Sequence, residues 1–174
     1  RSNTADDILD YFFPGKVIIV GGDGADTIVG YGGNDALEGG NGADVIRSGG
    51  GNDDIRGGDA NKSRKGDGGD SLFGESGRDE VYGGKGADRL SGGKGHDELY
   101  GQSGADTFVF DTRPDKFGDY IGDFQPGTDV IELNSEIFGG VDNGVLDRQA
   151  FKSIKGIAFK DRIDADDRII YDEK

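Results

Sequence analysis

From residue 21 to residue 109 the apolar positions fall to a strict beat of nine: Ile28, Leu37, Ile46 and Ile55, then, after a break, Leu72, Val81, Leu90, Leu99 and Phe108. Each is flanked by residues that range from Thr to Arg and Glu, so a three-residue strand alternates out, in, out and sends one side chain inward. The six residues between strands are rich in glycine and predict tight turns with left-handed backbone conformations. Two such units make one coil. Stacked coils give an all-β fold, a right-handed parallel β-roll whose two sheets meet over a thin core, with capping segments at its N- and C-terminal ends.

Nine copies of the unit begin at Gly21, Gly30, Gly39, Ser48, Lys65, Gly74, Gly83, Gly92 and Gly101. The fourth position is always Gly (Gly24, Gly33, Gly42, Gly51, Gly68, Gly77, Gly86, Gly95, Gly104), and the sixth is always Asp (Asp26, Asp35, Asp44, Asp53, Asp70, Asp79, Asp88, Asp97, Asp106). Composition sharpens the problem this poses. Only 32% of the 174 residues are hydrophobic, 35 are Gly, and 35 acidic residues against 20 basic ones leave a net charge of −15. A core that thin cannot offset the self-repulsion of so acidic a chain, so stabilisation must come from bound cations. The same charge argues against nucleic acid and anionic membrane as partners.

Rungs of a parallel stack lie about 4.7–4.9 Å apart, and Ca²⁺ takes oxygen ligands at about 2.3–2.6 Å. An ion between two stacked turns therefore reaches oxygens of both, and a two-oxygen carboxylate can bridge the ion above to the ion below. The third position holds Asp23, Gly32, Asn41, Gly50, Asp67, Ser76, Lys85, Lys94 and Ser103. Lysines exclude a side-chain ligand there, which leaves the backbone carbonyl. An oxygen-only donor set, with no Cys and a single His in the chain, favours Ca²⁺ over Mg²⁺ and over softer metals.

These copies resemble the repeats-in-toxin (RTX) consensus G-G-x-G-x-D-x-apolar-x, itself the known example of a calcium-binding parallel β-helix. The resemblance implies ligands from the carbonyls of positions one and three and the aspartate of position six. Those are Gly21, Asp23 and Asp26; Gly39, Asn41 and Asp44; Gly83, Lys85 and Asp88; Gly92, Lys94 and Asp97; and Gly101, Ser103 and Asp106, together with Asp35, Asp53, Asp70 and Asp79 of the less regular copies. Ser48 or Lys65 at position one, and Tyr31, Glu75 or Gln102 at position two, replace glycines whose loss could distort the turn. Pairing each copy with its next-but-one neighbour gives four intervals on one edge and three on the other, hence about seven interior Ca²⁺ sites, whose 14 charges nearly balance the −15 of the chain.

Residues 57–64 break the period and are expected to form a loop between two copies, its Lys62 and Arg64 making a solvated basic patch with Lys65. Residues 1–20 are expected to cap the roll through a short helix, begun at Asn3 or Thr4 and ended by Pro14, and a first strand Val17–Val20. Beyond Val109 the composition turns apolar, with strands expected over 119–124, 127–133 and 168–171, and residues 110–174 read as a C-terminal capping region. Phe110, Ile121, Phe124, Ile131 and Leu133 are the residues expected to cover the last rung. Asp123 and Asp129 read as solvated surface carboxylates, a calcium-ligand role being the alternative.

No run of about 18 apolar residues predicts a membrane span. A chain without Met that opens Arg1-Ser2-Asn3 reads as a piece of a longer protein. His96, at a variable turn position and with no Cys or second His, supports no catalytic constellation in this stretch. The RTX resemblance implies a secreted, extracellular bacterial protein exported by the type I secretion machinery, its tail carrying the export signal. The module then folds on Ca²⁺ outside the cell. The alternatives are the non-catalytic part of a secreted protease, lipase or glycan-modifying enzyme, and a free-standing protein that binds a host surface or polysaccharide.

Overall fold

Because each repeat offers one inward side chain and one short strand, the chain can bury those side chains only by stacking coil on coil. The computed structural model describes residues 5–10, 12–58, 67–113, 118–134, 137, 141–142, 145–146 and 157–159. Two seven-stranded parallel sheets face each other. The first is β1 (Ile8–Asp10), β3 (Thr27–Val29), β5 (Val45–Arg47), β7 (Ser71–Phe73), β10 (Arg89–Ser91), β13 (Thr107–Phe110) and β15 (Val130–Leu133). The second is β2 (Ile18–Asp23), β4 (Ala36–Asn41), β6 (Asp54–Arg56), β9 (Glu80–Gly86), β12 (Glu98–Gly104), β14 (Asp119–Ile121) and β18 (Ile157–Phe159). Two small pairs complete the list: β8 (Ser76–Gly77) with β11 (Lys94–Gly95), parallel within the turns, and β16 (Val141–Asp142) with β17 (Val145–Leu146), antiparallel. The chain alternates between the two large sheets, so successive strands lie on opposite faces and each pairs with its next-but-one neighbour, as a β-roll requires.

The predicted inward residues form the core. Ile28, Ile46, Ile55, Leu72, Val81, Leu90, Leu99 and Phe108 are wholly buried, and Leu37 nearly so. Their registers are direct, Ile28 opposite Ile46 and Val81 opposite Leu99. The column is closed at its C-terminal end by Phe110 and Ile121, with Phe124, Ile131 and Leu133 packed against it, and the Phe124 ring lies 6.0 Å from that of Phe108. The outer faces are finished by stacking: Tyr82 on Tyr100 at 4.9 Å, Arg56 over Tyr82 and Arg47 over Phe73.

Three expectations are corrected. The N-terminal helix is not formed: Ile8–Asp10 is a strand, paired through Ile8 with Thr27. Ile8-Leu9-Asp10 already alternates out, in, out, and the free edge of β3 offers backbone partners that an isolated helical turn would forgo. The first strand of the second sheet begins at Ile18 and runs on through Gly21 and Gly22 to Asp23. Second, the insertion does not separate two copies. The Gly57 amide donates to the Tyr82 carbonyl and the Gly58 amide to that of Gly83, the bonds that positions one and two make elsewhere, so Gly57 and Gly58 open the copy that had been assigned to Lys65. The extra residues enter between positions two and three; Lys62, Arg64 and Lys65 lie outside the described residues.

Third, the non-glycine residues at position two do not spoil the turn. Tyr31, Glu75 and Gln102 hold φ of 72°, 66° and 68°, within the left-handed region that costs an L-residue about 1–2 kcal/mol, and the stack continues through all three. The expected strand over 168–171 lies outside the described residues.

With calcium saturating, Leu90→Ala should lower the unfolding free energy by about 2–5 kcal/mol, the range for a buried leucine cavity. Ile18→Ala, on the outer face and 75% exposed, should stay within about 0.5 kcal/mol of the parent. Denaturant unfolding of both variants at fixed calcium checks this.

Candidate metal sites

The sixth residue of each repeat ends the turn, and the following strand anchors it so that its carboxylate points back under the turn. All nine of these aspartates are buried, none more than 3% exposed. They form two rows. On one edge the Asp26 amide donates to Asp44 Oδ1 at 2.7 Å, Asp44 to Asp70 at 2.8 Å, Asp70 to Asp88 at 2.9 Å and Asp88 to Asp106 at 3.0 Å. On the other edge Asp35, Asp53, Asp79 and Asp97 are linked in the same way at 2.8, 2.9 and 2.8 Å.

One oxygen of each carboxylate is thus spent on the stack. The other faces inward: Oδ2 of Asp26, Asp35, Asp44, Asp53, Asp70, Asp79, Asp88 and Asp106 is buried with no hydrogen-bond donor. A buried carboxylate oxygen without a donor costs free energy unless a cation meets it. The glycines at position one outline where that cation fits. A Cβ built on Gly21 would lie 2.3 Å from Asp26 Oδ2 and 2.6 Å from the Gly39 carbonyl oxygen; on Gly83 it would lie 2.5 Å from Asp88 Oδ2 and 2.7 Å from the Gly101 carbonyl. Gly57 repeats this at 2.2 Å from Asp70 Oδ2 and 2.5 Å from the Gly83 carbonyl, and Gly92 holds Asp97 Oδ2 at 2.4 Å. A space bounded by a carboxylate of one turn and a carbonyl of the next, at oxygen distances of a few ångström, suits Ca²⁺. Among the described residues no three His, Cys, Asp or Glu side chains converge, so backbone carbonyls must complete any coordination shell.

Burial has an electrostatic consequence. Desolvation first, and repulsion from carboxylates in the same row second, push Asp70 and Asp79 up to about 8, Asp88 to about 7, and Asp44 and Asp106 to about 6, against the opposing effect of the amide donors. Without a counter-ion Asp70 and Asp79 hold their protons at neutral pH, and Asp88 does so in part.

The third-position side chains stay out of the rows, with one exception. Asn41 donates to Asp23, Lys94 is exposed, and the Ser103 hydroxyl reaches the Gly84 carbonyl at 3.3 Å. Asp67 differs: where the insertion displaces the Gly58 to residue-three linkage, Asp67 Oδ2 accepts the Lys85 amide at 2.9 Å, in place of a rung carbonyl. The ends of the rows are closed by residues outside the nine-residue pattern. Ala25 donates to Asp6 and the Asp7 amide to Asp26. Asp119 and Asp129 accept the amides of Asp97 and Asp106. Asp123 is no solvated surface group, since its two oxygens accept the Gly101 and Gln102 amides at 2.9 and 2.8 Å. Those amides would otherwise seek the carbonyls of a further repeat. Asp129, also read as solvated, is buried. His96 contacts the Gly118 carbonyl within a turn.

Four matches to the model of the RTX calcium-binding nonapeptide repeat cover residues 18–46, 29–61, 66–99 and 82–112, about half of the chain. The chain belongs to the RTX calcium-binding repeat family. A search of curated proteins gave no match. Among solved structures the RTX chain is similar to the solution structure of the AlgE6R3 subunit from the Azotobacter vinelandii mannuronan C5-epimerase, at 27% identity over 82% of this chain. The chain spans 53% of that structure, and with a TM-score of 0.26 the likeness bears no structural weight.

Gly83→Ala should place a methyl group in the cation's space of an RTX turn, abolishing at least one site and raising the calcium needed for folding. Gly32→Ala, whose Cβ would meet nothing nearer than 3.8 Å, should leave both unchanged. Calorimetric titration of the two variants decides it.

The raised carboxyls also predict a pH dependence. In the metal-free chain they bind more protons folded than unfolded, so their contribution to the metal-free fold is full below the ordinary carboxyl value of about 4 and is lost as pH rises through about 6 to 8. In chelator, β-sheet circular dichroism should therefore grow from about pH 8 to about pH 5. In the same interval the calcium midpoint should rise, because protons compete with the ion for the same oxygens.

Proposed function

We propose that this RTX chain is a calcium-responsive folding module of a secreted protein. The observation that carries the reading is the pair of carboxylate rows, each with a buried oxygen directed at a space of cation size. In cytosol poor in calcium nothing meets these buried oxygens, a core one side chain thick does not offset the cost of burying them, and the chain stays unfolded. An unfolded, cysteine-free chain suits threading through a type I secretion machinery, and millimolar calcium outside the cell then supplies the missing stabilisation. Binding free energy becomes folding free energy. Affinities of about 10⁻⁴–10⁻³ M, as in other extracellular calcium modules, make a switch of that kind.

The ligands are the sixth-position carboxylates together with the carbonyls of positions one and three. Gly57 takes the first-position role in the interrupted copy. Acting through oxygen alone in a pliable turn, the set favours Ca²⁺ over Mg²⁺, which demands octahedral geometry.

Circular dichroism of the chain in chelator, titrated with Ca²⁺ and separately with Mg²⁺, tests the reading. A cooperative gain of β-sheet signal with calcium only is expected. Identical spectra with and without submillimolar calcium at neutral pH would rule out coupled folding.

A further inference from the structure

Eight of the nine copies present glycine at position one, and in seven of these the missing Cβ leaves room beside the carboxylate of the same copy: Gly21, Gly30, Gly39, Gly74, Gly83, Gly92 and Gly101. Gly57 is the eighth. Ser48 alone departs. Its backbone does what the glycines do, the Ser48 amide donating to the Phe73 carbonyl at 3.0 Å as Gly74 donates to Ser91 at 2.9 Å. By the same geometry its Cβ takes, beside Asp53 and the Gly74 carbonyl, the place that a Cβ built on Gly30 would take 2.7 Å from Asp35 Oδ2 and 2.6 Å from the Ser48 carbonyl, and one built on Gly74 2.5 Å from Asp79 Oδ2 and 2.6 Å from the Gly92 carbonyl. Ser48 is wholly buried. Its hydroxyl donates to the Gly74 carbonyl at 2.8 Å, the very carbonyl that would face the cation between this turn and the next on the same edge.

We propose that Ser48 plugs one calcium position: its Cβ fills the space between turns 48–53 and 74–79, and its hydroxyl satisfies the Gly74 carbonyl in place of an ion. The inference rests on the calcium reading above. Asp79 keeps an ion, because its Oδ2 lines the interval that ends at Gly92, whereas Asp53 gives Oδ1 to the Asp35 amide and turns its Oδ2 to the plugged interval. The edge with three intervals then binds two ions, and the repeats hold six rather than seven. The fold bridges that gap with a neutral hydrogen bond, so the stack continues across a step that calcium does not cement.

The test is the number of Ca²⁺ bound per full-length chain, measured by equilibrium dialysis and calorimetry for the parent, Ser48→Gly and Ser48→Ala, with the calcium midpoint of folding read alongside. Ser48→Gly should bind one ion more than the parent and fold at lower calcium. Ser48→Ala, which keeps the Cβ, should hold the parent's count. A serine that merely braces the turn predicts the opposite shift for Ser48→Gly, a higher midpoint at unchanged count. Equal counts in the parent and Ser48→Gly overturn the plug, and one ion fewer in Ser48→Gly overturns it by making the hydroxyl a ligand. If the parent itself binds no calcium, the calcium reading falls, and the plug falls with it.

Discussion

Everything in this structure depends on how a row of buried carboxylates is neutralised. Along each row an aspartate gives one oxygen to the amide of the aspartate two repeats before it, and in eight of the nine, Asp26 and Asp44 among them, the other turns into a space with no donor. The first interaction sets the vertical spacing and register of the turns. The second leaves a debt of charge that no side chain in the row can settle. The rest of the repeat follows: glycine at position one to keep the space open, carbonyls around it, and a single apolar residue whose burial is too small a contribution to hold the fold by itself.

Such a stack is close to one-dimensional, each turn stabilised by the turns above and below. Its ends are then a special problem, and the chain solves it with the same chemical group it uses inside. Asp123 stands in for two backbone carbonyls at the last regular turn, and Asp119 and Asp129 continue the rows where the consensus has ended. At the first turn the Asp6 carboxylate accepts the Ala25 amide in the same way, and the Asp7 amide donates to Asp26 as a row aspartate's amide would. A carboxylate is a good imitation of a rung edge, since it presents two acceptors about as far apart as one strand needs and requires no backbone geometry of its own.

The middle of the roll was legible in the sequence because there one periodicity governs packing, turn and chemistry together: Ile28 and Asp26 obey the same count. At Ile8–Asp10 only the packing signal exists, and a short apolar stretch of that kind fits a helix as well as a strand until the edge of β3 is there to pair with it. The insertion misled for a different reason. Lys65-Gly66-Asp67 completes a nine-residue window as a string of letters, but the hydrogen bonds belong to Gly57 and Gly58, and two glycines torn from their motif carry no count. Asp123 and Asp129 were hidden because the tail's spacing differs from nine, although the rows they join do not.

The insertion has a bearing on how such a roll can change over time. Across it the pairing offset moves from 18 residues to 26, Ile46 facing Leu72 and Ile55 facing Val81, with the inward column unbroken. Eight residues enter between positions two and three, and beside them Asp67 accepts the Lys85 amide. Loop closure grows costlier only slowly with length. A junction between positions two and three is thus a place where a repeat protein can gain new surface, a recognition loop or a whole inserted module, while the architecture beneath it keeps its count.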